Sequence, residues 1–250
     1  MHVICYNHNM SKNLLIIGKD SASVSDFAEA MTFGDFNVAT ADDTQKRTTS
    51  AASVNSVLWN KGSAVSARSL IIQAETAIGY IDDYVFYFDS PLYASEFSDF
   101  SADNCQKAAD EMVTSFQYAA FEAITRIEQK KSPARLIFIL KTHPSAKDNL
   151  LSSGKNISNN PANPLVAAAE AAFANFAENL AAFKNNQENL SVLLITGDAQ
   201  NETMQKNSTM ANWLSNYIKT LDTKKSKLSP KSTLTWIKAG SKAPGSFQLF

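Results

Sequence analysis

Glycine is scarce in this sequence, with eight residues in 250 against an average usage of about 7 %. A fold that lays bare backbone against a phosphate uses glycine freely, so the deficit argues against an intact phosphate-cradling turn. Cysteine is nearly absent as well. Cys5 and Cys105 suit neither a disulfide framework nor the C-x-x-C spacing of a zinc site, and a reduced compartment is the simplest reading. The three histidines, His2, His8 and His143, are too scattered for a metal centre. No apolar run approaches the roughly 20 residues that span a bilayer, and "MHVICYNHNM" lacks the charged, apolar and small-residue regions of a signal peptide. A net charge of −1 provides no broad basic surface for nucleic acid. The expectation is a cytoplasmic protein with no metal, no membrane contact and no nucleic-acid partner.

What is present is a globular composition, 44 % apolar and 19 % charged, enough for one substantial core. The reading is one domain over residues 10–250, with 1–9 an extension ahead of Met10. The apolar run Leu14–Ile17 stops at Gly18 and gives way to an amphipathic segment, the strand, turn and helix of a nucleotide-binding βα unit. "FNVATADD" and "SVLWN" read as further strands, "SAVSARSLIIQAETAIGYI" as a helix, and "DYVFYFD" as a buried strand. A long helix is expected over 103–130, then the strand "ARLIFIL", a loop over 142–163 and a helix over 164–184. "LSVLLITGD", a helix around "MANWLSNYIKTL" and a last strand around "STLTWIKAG" complete the alternation. Strands and helices alternating throughout predict a doubly wound α/β fold, a Rossmann-like parallel sheet of about seven strands with helices on both faces.

On these elements the chain resembles the short-chain dehydrogenase/reductase family from Met10 onward. The family's first turn follows G-x-x-x-G-x-G. Laid without gaps on Gly18, that pattern puts Ala22 and Val24 at the second and third glycines. The same register brings Asp42 to the end of the second strand, where members that prefer NAD hold the adenosine ribose; here it is a remnant of that selectivity or an accidental acid. The Asn-Asn-Ala-Gly closing the fourth strand is replaced by Phe86, Tyr87, Phe88 and Asp89. Lys141 stands at the serine of the fifth strand, or Thr142 if the register slips by one. Val166 and Glu170 stand at the Tyr and Lys of Tyr-x-x-x-Lys, a spacing found nowhere in the chain. The supporting asparagine falls at Val113 or Thr114, and Gly197 and Asp198 replace the usual Pro-Gly.

The resemblance implies the fold, while the departures imply a catalytically inactive member acting as a scaffold, binding or regulatory module. Valine exchanges no proton, and a glutamate in place of lysine opposes the ionisation of a neighbouring acid. No cofactor is expected, and any residual NAD binding through Gly18 and Asp42 would be weak. The alternative is a divergent NAD(P)-dependent oxidoreductase whose acid is His143 or Tyr93. The paired exchange of Ser for Lys141 and of Lys for Glu170 suggests an ion pair that plugs the former site; the alternative leaves both at the rim, facing solvent and apart. The family's dimer contact implies a homodimer or homotetramer through the helices near 103–130 and 164–184, the second carrying a Phe173, Phe176 and Phe183 stripe among alanines.

Overall fold

The computed structural model describes residues 11–18, 21–42, 53–151, 160–224 and 234–243, without the side chains of 21–25 and 224. Its strands are β1 (Lys12–Ile17), β2 (Phe36–Asp42), β3 (Val54–Leu58), β4 (Asp83–Asp89), β5 (Ala134–Thr142), β6 (Leu190–Asp198) and β7 (Ile237–Lys238). They form one parallel sheet in the order β3-β2-β1-β4-β5-β6-β7. All seven residues of β4 and the first seven of β5 are buried, as strands covered on both faces require.

Side-chain alternation divides the core into two layers. Phe86, Phe88, Phe138 and Leu140 face α2 (Ala64–Ile78), α5 (Ser115–Lys130) and α7 (Pro164–Lys184). Val85, Tyr87, Ile137 and Ile139 face α1 (Ser21–Phe33) and α9 (Asn207–Lys224). The chain leaves β1 toward β2 on one side and returns to β4 on the other. The crevice between the carboxyl ends of β1 and β4 is therefore the place where such sheets bind ligands.

Five segments depart from the sequence reading. A short helix, α3 (Ser90–Glu96), follows β4 directly, started by Asp89, whose carboxylate accepts from the Leu92 N–H at 3.4 Å, with Pro91 in the first turn. The expected helix over 103–130 is α4 (Ala102–Ala109) and α5 joined by a π-helical turn over Asp110–Thr114, in which the Ser115 N–H donates to the Asp110 carbonyl. The loop over 142–163 carries α6 (Ala146–Leu151), and its residues 152–159 lie outside the described ones. α8 (Glu202–Gln205) precedes α9, and the last strand shrinks to the two residues of β7. The extension 1–9 also lies outside the described residues.

The opposite, amino edge of the sheet holds a buried ion cluster. Asp83, fully buried, faces Arg135 Nε at 3.2 Å and Lys12 Nζ at 4.0 Å, and Asp222 on α9 takes Arg135 Nη2 at 2.8 Å and Lys12 Nζ at 2.7 Å. Burial pushes the Asp83 carboxyl above its usual range, with Arg135 and then Lys12 pulling it back. Among the described residues no helix is long and apolar enough to cross a membrane.

Candidate functional site

The β1 end is shaped by Gly18, whose φ of +98° is a conformation that residues with a side chain rarely adopt. A Cβ there would run into the Phe116 ring and sit 2.8 Å from the Tyr87 carbonyl. Phe116 arrives from α5, its ring 5.9 Å from that of Phe88 and 4.9 Å from that of Phe173. Tyr93, 2 % exposed, packs its ring at a tilt 4.9 Å from that of Phe88, and its hydroxyl donates to the Gly18 carbonyl at 3.0 Å. The end of β1 is thus gripped from α5 and α3, through an aromatic cluster continuous with the core.

The polar groups of this edge are tied to one another. Lys141 Nζ lies 3.9 Å from Asp89 Oδ2, with both side chains largely buried. Glu170 accepts from Ser90 Oγ at 2.5 Å and from the His143 N–H at 3.3 Å. Burial raises the Glu170 carboxyl above its ordinary range, and these two hydrogen bonds partly offset the rise. His143 Nε2 lies 2.7 Å from the Asn160 carbonyl.

The expected Lys141–Glu170 pair is therefore corrected: the structure pairs Lys141 with Asp89, and Glu170 with Ser90 and His143. The reason is strand parity. Lys141 shares the face of Ile137 and Ile139, which meets α1 and α9, whereas Glu170 comes from α7 on the other face. Asp89 is the direct cross-strand partner of Lys141. By the same alternation Thr142, not Lys141, falls on the α7 face. Of the other sequence-derived positions, Val166 is fully buried beside the Asn163 cap, whose Oδ1 accepts from its N–H at 3.2 Å. Phe86, Tyr87 and Phe88 are fully buried, and Val113 and Thr114 lie in the π-helical turn. Asp42 is 6 % exposed and accepts from Ser56 Oγ on β3 at 3.3 Å. Lys19 and Asp20, and the side chains of Ala22 and Val24, lie outside the described residues. The phenylalanine stripe divides: Phe173 belongs to the chain's own core, Phe176 is half-buried and Phe183 is 81 % exposed.

A nicotinamide dinucleotide needs backbone donors at the first turn, a polar edge after β4 and a proton carrier on α7. The residues here do not fit that group. β4 ends in buried aromatics and an acid, the Phe116 ring packs against Gly18 from the core, and Val166 on α7 is buried. Sequence reasoning missed Phe116 and Ser90. Ser90 follows β4 immediately and could have been inferred from the Asp89 and Pro91 helix-start signal, while nothing local marks Phe116 as the residue that reaches Gly18. Among the described residues no group of three His, Cys, Asp or Glu could hold a metal ion.

With this geometry in view, comparison with solved structures identifies the class. The fold is that of the short-chain dehydrogenases/reductases. A short-chain dehydrogenase from Mycobacterium smegmatis superposes with a TM-score of 0.60 over 93 % of this chain and 93 % of its own, at 13 % identity. A short-chain dehydrogenase/reductase from Burkholderia phymatum in complex with NAD gives 0.58 over 92 % and 90 %, at 11 % identity. The 3-ketoacyl-(acyl-carrier-protein) reductase from Brucella melitensis complexed with NADH gives 0.57 over 91 % and 96 %, at 10 % identity. No family model and no curated protein sequence matches the chain.

Proposed function

We propose that the chain is a cytoplasmic, catalytically inactive protein of this fold, one domain over 10–250, that works as a scaffold, binding or regulatory module. The observation that carries the reading is Val166. At the register position of the family's proton carrier it is apolar and fully buried, so the position neither gives up a proton nor touches a ligand. The interlock of Gly18, Phe116 and Tyr93 supports the same reading, because it packs the end of β1 with apolar rings instead of offering polar groups to a diphosphate. Expected on heating with NADH or NADPH at about millimolar concentration is a melting shift below about 1 °C. A larger shift together with hydride consumption on a carbonyl panel would favour the divergent oxidoreductase. That second reading draws on Thr142, a hydroxyl at the end of β5 on the α7 face, and on the cofactor-bound neighbours.

The partner in this reading is a second copy of the chain. Phe121 of α5 is 57 % exposed and meets half-buried Phe176 edge-on at 6.2 Å, and Ala168, Ala171 and Ala182 leave the outer side of α7 low enough for close helix approach. Light scattering is expected to give a dimer or tetramer, and Phe121→Glu to shift it toward monomer; a wild-type monomer would remove this part of the proposal.

A further inference from the structure

A cavity of about 830 Å³ opens between the end of β3, the first turns of α2, and α4 with its π-helical turn. Its volume is within the range of about 300–1,000 Å³ typical of small-molecule sites. Its floor is set by Trp59, 3 % exposed, and by Lys61, whose side chain is 12 % exposed. Glu111 stands between two ammonium groups, Lys61 at 3.8 Å and Lys107 at 3.7 Å, both beyond good hydrogen-bond distance. Gln73 and Gln106 rise at the rim; Gln106 Nε2 donates to Asp110 Oδ2 at 3.2 Å, and Gln73 Nε2 to Ser69 Oγ at 2.8 Å.

Asp110 and Glu111 open the π-helical turn. Such turns cost helix stability and recur at functional sites, and this one swings two carboxylates to the cavity wall. The wall is dense in groups that each handle two hydrogen bonds: carboxylates that accept twice and amides that accept and donate. Its charges are mixed, three carboxylates against two lysines, so neither a polyanion nor a polycation is matched by the wall. Vicinal hydroxyls, each both donor and acceptor, match such a wall, and half-exposed Leu58 at the rim gives apolar surface for a ring's C–H face.

We propose that this cavity binds a small uncharged polyhydroxylated ligand of mono- or disaccharide size. The cavity begins beside Asp42, whose carbonyl accepts from the Trp59 N–H at 2.8 Å, and the proposal goes beyond the module reading above. Saturation-transfer NMR on the full chain with glucose, galactose, maltose, lactose and myo-inositol tests it, with inorganic phosphate and adenosine as competitors. At least one sugar or polyol is expected to receive saturation, and Lys61→Met to weaken its binding by about tenfold through lost charged hydrogen bonds. Gln73→Ala and Gln106→Ala, both at the exposed rim, are expected to weaken it severalfold without moving the melting temperature, which keeps the test informative if Lys61→Met fails to fold. No saturation of any of the five, displacement by phosphate or adenosine, or binding indifferent to both glutamines would overturn the proposal.

Discussion

Replacing Arg135 with methionine is expected to destabilise the protein by about 3–5 kcal/mol, the usual cost of stripping one partner from a buried ion pair. Asp83 has no exposure to water, and Arg135 stands first among the groups that hold its charge. Without it the carboxyl rises further above its usual range. A carboxyl whose folded pKa lies above its unfolded value, about 3.9, stabilises the fold fully below that value and loses the contribution as pH climbs through the folded pKa. The Arg135→Met deficit is therefore greatest at neutral pH and shrinks on mild acidification. Urea denaturation at two pH values reads this directly. A loss under about 1 kcal/mol, or a deficit that grows in acid, would contradict the assignment. Adding Asp83→Asn to Arg135→Met is expected to recover much of the loss, because no uncompensated charge then stays inside.

The second large effect is expected at Phe116. Truncation to alanine removes a ring packed against Phe88, Phe173 and the Gly18 backbone, and buried Phe→Ala changes cost about 3–5 kcal/mol. Gly18→Ala is expected to destabilise by a different route, through a positive φ that alanine tolerates poorly and a collision with the same ring. The two sites share that space, so the double variant is expected to be less destabilised than the sum of the singles, by about 0.5 kcal/mol or more. Additivity within error in a double-mutant cycle would show that the ring does not bear on the glycine.

Elements with strong periodicity were legible in the sequence because burial alone dictates them. "DYVFYFD" and "ARLIFIL" are apolar on both faces, and only a covered parallel strand accommodates that. What escaped depends on pairing between distant segments. The Lys141–Asp89 contact follows from the β4–β5 register, in which those residues stand side by side, and from the face on which Lys141 emerges. The paired exchange of Ser for Lys and Lys for Glu at the family's positions points instead to Glu170. α3 carried a readable start, an acid two residues before a proline, yet it is too short for periodicity to reveal. The π-helical turn leaves no mark in composition, since Asp110–Thr114 is an ordinary helical stretch whose widening is set by what packs around it. β7 keeps only Ile237 and Lys238 in register with β6, although nine residues there have strand composition.

The grip on Gly18 has a consequence for any redesign of the β1 end. Grafting a glycine-rich turn and a Tyr-x-x-x-Lys helix would leave Phe116 and Tyr93 still clasping the end of β1 from two other helices. Neither could be released alone without opening a void or stranding a hydroxyl. Reshaping that end would need coordinated redesign of at least three elements, because the packing itself resists single changes.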